Sequence, residues 1–134
     1  ESKEGEMTTS DVLEYEARLE AQSRDLCVAL RAVIESTLPE ADGKVWHGHP
    51  VWFIDGNPIV GYHQLKAGVR VLFWSGQSFP TPGLKKSGSF KAAEFMPGSP
   101  DALSSLPFEQ WLIESREIQW DYKNLMKNKQ LVKL

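Results

Sequence analysis

All three histidines of the 134-residue chain lie in the stretch VWHGHPVWFIDGNPIVGYH, where His47 and His49 flank Gly48 and His63 follows Tyr62. Imidazole nitrogens two apart on a strand, with a third across the ladder, could hold zinc, iron or copper and leave a coordination position open. His47, His49 and His63 are therefore the candidate metal ligands. The sequence places no carboxylate or thiol as a fourth, and Asp55 falls at the far end of the hairpin. Half-buried, hydrogen-bonded histidines lining a cleft are the other reading of the same residues. Trp46, Trp52, Tyr62, Arg70 and Trp74 surround them in sequence, so the candidate ligand-binding set is Trp46, His47, His49, Trp52, Tyr62, His63, Arg70 and Trp74.

Other chemistry is thinner. The segment SGQSFPTPGLKKSGSFK sets Gly76, Gly83 and Gly88 near Lys85, Lys86 and Lys91 and could hold an anion on backbone amides. It is not a phosphate-binding P-loop, because Gly88 is followed by Ser89 and Phe90 instead of Lys and a hydroxyl residue. Asp11, Glu14, Glu16, Glu20 and Asp25 could form an acidic ridge, or a solvated face favoured by the helix dipole. Cys27 shares a helical side with Leu30 and Ile34, the pattern of a buried, inert thiol. No Ser/His/Asp order, paired carboxylates or redox motif assembles into a catalytic site. The expectation is a binding protein, not an enzyme.

Short β-branched and aromatic runs, VWFI, PIVGYHQL and VRVLFW, are separated by DGN and KAG and predict an antiparallel meander over 44–74, extended by 90–96. If both loops have three residues, Ile54 pairs with Pro58, Phe53 with Ile59, Val51 with Gly61, and His49 stands opposite His63. One face then carries Val51, Phe53, Ile59, Leu65, Val69, Val71 and Phe73 for packing under helices. The other carries Trp52, Val60 and Trp74 in a row beside Tyr62 and Leu72, with Arg70 farther along. So aromatic a face marks a ligand groove or a subunit contact, unless the 75–89 loop folds over it. A two-residue turn would shift this register by one.

Helical periodicity fills the two ends. Val12, Tyr15 and Leu19 start an N-terminal run that Leu26, Leu30, Val33, Ile34 and Leu38 continue to Pro39, with a break near 21–23. At the other end, Phe108, Trp111, Leu112, Ser115, Ile118, Tyr122, Leu125 and Met126 predict one helix over 106–127. Residues 1–8 read as a disordered leader or expression remnant, and 9–134 as a single domain. At 41% hydrophobic, the chain is large enough to bury a substantial core. Residues 1–42 carry 4 basic and 11 acidic groups, and residues 43–134 carry 11 and 7. That pattern lacks the concentrated basic stripe of a nucleic-acid binder. No run reaches the roughly 20 apolar residues that span a bilayer, and the lone cysteine suits a reducing compartment. The expectations are a cytoplasmic location, a small molecule, a metal ion or a second copy of the chain as partner, and no nucleic acid or membrane.

The blocks VWHGHPVWFIDGNPIVGY, VLFWSGQSF and REIQWDYKN, in an order of helix, sheet and helix, resemble the YdhG-like family, domain of unknown function 1801. The resemblance covers roughly residues 10–128. It implies an α+β fold similar to frataxin, with an antiparallel sheet between N- and C-terminal helices. It also implies a link to iron handling for some members and supplies no catalytic motif to transfer.

Overall fold

The computed structural model of the protein describes residues 8–134, so positions 1–7 of the expected leader lie outside the described residues. The chain is α+β: among the described residues, five helices accompany a six-stranded antiparallel sheet, with helices at both ends. Helix α1 spans Ser10–Ala17 and α2 spans Ala21–Thr37. Between them Glu20 is extended, and Arg24 Nη1 donates to the Leu19 carbonyl at 3.1 Å, occupying an acceptor left free by the end of α1. Pro39 follows the end of α2, as the restriction it places on its predecessor requires.

Strands β1 (Asp42–Trp46), β2 (His49–Ile54), β3 (Asn57–Leu65) and β4 (Gly68–Phe73) form the meander. Two short strands follow, β5 (Lys85–Lys86) and β6 (Ala93–Phe95), giving the order β1-β2-β3-β4-β6-β5. Thr8 already bridges to Gly43 at the β1 edge. Two of the hairpins turn on residue pairs at positive φ, His47 (54°) with Gly48 (88°) and Asp55 (51°) with Gly56 (81°). This is the geometry that matches the twist of paired strands, and Gly supplies it without steric cost.

The observed register differs from the sequence expectation in two places. Ile54 faces Asn57 across a two-residue turn, and Phe53 faces Pro58, so the loop is shorter by one than DGN suggested. A bulge then sets Ile59 as an extra residue on β3, which restores Val51 opposite Gly61 and Trp52 opposite Val60. No such compensation occurs in the next hairpin, where Leu65 faces Gly68 and Val60 faces Phe73, not Trp74. The one-residue slip exchanges the two sides of β4.

Trp52, Val60, Tyr62, Val69, Val71 and Phe73 consequently form the covered face, packed with Val12, Leu26, Cys27, Leu30 and Ile34 of α1 and α2. Helix α3 (Pro100–Ser104), capped by Ser99 Oγ on the Ala102 amide at 3.0 Å, and helix α4 (Phe108–Glu117) complete this layer. Trp111 and Phe108 of α4 pack their rings against Phe73 and Phe95. One polar cluster is sealed beneath α1: the buried Glu16 carboxylate accepts from Tyr62 Oη and pairs with Arg31 Nε at 3.0 Å. The two donors offset the cost of burying that charge. Cys27 is fully buried beside them, and burial, helped by Glu16, pushes its thiol up to about 12.

The helix expected over 106–127 ends at Glu117, and its apolar stripe does not continue to Met126, which is 90% exposed. Ile118 is extended, and tertiary partners replace helical hydrogen bonds beyond it. The Trp120 amide donates to Ser75 Oγ at 2.9 Å, Asn57 Nδ2 donates to the Trp120 carbonyl at 2.9 Å, and the Asp121 amide donates to the Val132 carbonyl at 2.6 Å. Only Leu125–Asn128 returns to helix, as α5.

Candidate functional site: the outer face of the sheet

The sheet face turned away from α1, α2 and α4 carries the site. Alternation along the strands places Lys44 and Trp46 of β1, His49, Val51 and Phe53 of β2, Gly61 and His63 of β3, and Arg70 and Leu72 of β4 on it. The Trp46 ring lies 5.4 Å from Phe53 and 6.2 Å from Trp74, which follows β4. Two indoles rooted in β1 and beyond β4 can meet only over the strands between them. Val51 is fully buried there and Gly61 faces it. A Cβ on Gly61 would come within 2.5 Å of the Pro50 carbonyl, so this floor tolerates no side chain at that position. Trp46, Phe53 and Trp74 thus form an aromatic platform, with Phe53 buried and the two indoles partly exposed.

One end of the platform opens into a cleft of about 310 Å³ lined by Asp42, Lys44, Trp46, Phe53, Pro58, Tyr122 and Lys123. The C-terminal segment supplies its far wall because Asn57 holds that segment down: its Oδ1 accepts from the Lys123 amide at 2.9 Å. Lys123 Nζ donates to the Asp55 carbonyl at 3.0 Å, and Lys44 Nζ stands 4.9 Å from the centre of the Phe53 ring. The cleft therefore joins aromatic walls to two ammonium groups and one carboxylate.

At the other end, Trp46, His49, His63 and Arg70 follow one another across β1 to β4. The His49 and His63 rings are stacked, with centroids 4.5 Å apart and planes 17° from parallel. Burial, then the neighbouring His63, holds His49 below the usual imidazole range; burial, then Arg70, does the same to His63. Arg70 Nη1 lies 3.6 Å from Glu94 Oε1, and its Nε is buried without a hydrogen-bond partner.

These positions sort the sequence-derived candidates. Trp46, His49, His63, Arg70 and Trp74 share the outer face. His47 occupies the β1–β2 turn, exposed and with its ring 4.3 Å from Trp46. Among the described residues no group of three or more His, Cys, Asp and Glu is arranged to hold a metal ion. His49 and His63 stack with nearly parallel rings, while His47 stands apart from them beside Trp46. Trp52 and Tyr62 belong to the covered core, with Trp52 fully buried, so the expected row of Trp52, Val60 and Trp74 does not exist. Trp52 lies in the core that the helices cover, and Phe79 and Leu84 of the 75–89 loop pack against that same core.

That loop is held by an anion of the chain itself. The buried Glu114 carboxylate accepts from Thr81 Oγ1, while Trp111 Nε1 donates to the Thr81 carbonyl at 3.0 Å. The acidic ridge also divides, because Glu16 is internal and Asp11 accepts from the Val45 amide at 3.2 Å. Sequence reasoning missed Lys44, Tyr122 and Lys123. Tyr122 and Lys123 sat inside an apparently continuous helix, whereas the pairing of Lys44 with Val51 needed the His47–Gly48 turn to be recognised as a hairpin. Comparison with protein-family models, with curated proteins and with solved structures found no match for this chain. No helix is long and apolar enough to cross a membrane among the described residues.

Proposed function

We propose that the protein is a small, non-catalytic binding protein whose outer sheet face holds a flat, apolar ligand on the platform of Trp46, Phe53 and Trp74. The observation that supports this most directly is the continuity of that platform with a cleft of about 310 Å³ walled by Tyr122 and rimmed by Lys44 and Lys123. Its size falls at the lower end of small-molecule sites, and its apolar walls with few polar groups are typical of them. The two ammonium groups favour a ligand carrying negative charge. Membership of the YdhG-like family and a cytoplasmic location belong to the same proposal.

Naphthalene sulfonate, a flat aromatic anion, is a suitable probe. Tryptophan fluorescence is expected to be quenched saturably with one equivalent, and Trp46→Ala is expected to abolish the response while leaving the melting curve close to wild type. Unchanged quenching in Trp46→Ala would remove the platform as the site. Sedimentation of the same samples distinguishes the alternative occupant. A dimer that dissociates in Trp46→Ala or Trp74→Ala would make this face an interface between copies.

A further inference from the structure

We infer that the row His49, His63 and Arg70, at the end of the outer face opposite the lysine-rimmed cleft, is a binding site for the phosphate group of a small ligand. Three side chains that donate hydrogen bonds stand next to one another on β2, β3 and β4: the imidazoles are stacked at 4.5 Å, and His63 is paired directly with Arg70. Among the described residues, the carboxylate paired with this row, Glu94, reaches Arg70 only at 3.6 Å, beyond good hydrogen-bond length, and leaves the guanidinium fork incompletely engaged. Arg70 keeps 26% of its side chain exposed, while its Nε is buried without a hydrogen-bond partner. A planar guanidinium recognises oxyanions through paired donors. A phosphate offers three oxygens to three such side chains, where a carboxylate offers two.

Burial, and then His63 for His49 and Arg70 for His63, lowers the basicity of both imidazoles, and a bound phosphate would stabilise their protonated forms. The groups facing His49 and His63 are His47 in the turn, Arg70 on β4 and, through Arg70, Glu94 on β6. The site deepens the reading of this face as a ligand surface, yet inorganic phosphate has no apolar body and tests the row separately from the platform.

Calorimetry of the full chain with inorganic phosphate, combined with NMR of the imidazole resonances, is the decisive experiment. Saturable binding is expected to move the His49 and His63 signals together, with affinity falling about tenfold or more in Arg70→Gln and in His63→Gln. Glu94→Gln, which removes the competing carboxylate, is expected to tighten binding. Acetate is expected to bind more weakly than phosphate. Imidazole signals that stay still at saturating phosphate, or wild-type affinity in both Arg70→Gln and His63→Gln, would overturn the site. Equal affinity for acetate would overturn the assignment to phosphate.

Discussion

The two faces of this sheet are both rich in aromatic residues, and they use them for opposite ends. On the covered face Trp52, Tyr62 and Phe73 are sealed by α1, α2 and α4 and have almost no contact with water. On the outer face Trp46 and Trp74 lean toward each other over Val51 and Gly61 and keep part of their surface exposed. Residue type does not separate the two groups. Strand parity does, and parity follows from hairpin turns differing by single residues.

The sharpest way to break this comparison is to truncate one tryptophan from each face. Trp52→Ala should cost roughly 3–5 kcal/mol, from lost burial and the cavity left behind, measured as the shift in urea midpoint with unchanged slope. Trp74→Ala should cost less than about half of that, because its surface is already partly wet, while weakening capture of the aromatic probe. Equal losses of stability would mean that the outer platform is a second core, not a binding surface.

A smaller effect is expected at the join between the faces. Asn57 is buried and bonded to the Trp120 carbonyl, Gln119 Oε1 and the Lys123 amide. Asn57→Ala leaves those groups without partners at about 1–3 kcal/mol. It should also free the Tyr122 wall of the cleft, seen as faster amide hydrogen exchange over residues 119–124 relative to β2 and β3. Exchange that accelerates equally everywhere would show that Asn57 serves only global stability.

The gentlest test is pH. His49 and His63 have folded-state basicities below the ordinary value of 6.5, so the unfolded chain binds protons first as acidity rises. Their contribution to stability is complete above about pH 6.5 and is lost as pH falls through the depressed folded values. Wild type should therefore lose more melting temperature than His49→Gln/His63→Gln between neutral and mildly acidic pH. Inorganic phosphate should reduce that loss if it occupies the row.

The fold class, the N-terminal helices and the strands of the meander could be read directly from periodicity and turn residues. The placement of His49 opposite His63 was also legible, for a partly accidental reason: a turn one residue shorter than expected and a bulge at Ile59 cancel. Nothing cancels the same error at Lys66–Ala67, so Trp74 and Arg70 change sides relative to Trp52. The C-terminal stripe misled because spacing of apolar residues does not record what happens to the backbone amides. After Ile118, Ser75 Oγ and the Val132 carbonyl accept from the Trp120 and Asp121 amides and Asn57 donates to the Trp120 carbonyl; Ser75 and Asn57 lie far from Trp120 in sequence. Local patterns show elements well; they do not show which distant side chain ends one.

Cys27, the chain's single cysteine, lies fully buried in the interior between α2 and the sheet, with its thiol held almost entirely protonated at physiological pH. A thiol in that condition is silent toward alkylating reagents until the helices part from the sheet, since the thiolate is the reacting form. The protein therefore contains a natural chemical clock for breathing of its covered half, and no label has to be engineered. Rates of modification under native conditions, set beside hydrogen exchange in β3, would reveal whether α1 and α2 peel away as a separate cooperative unit or only when the whole domain comes apart.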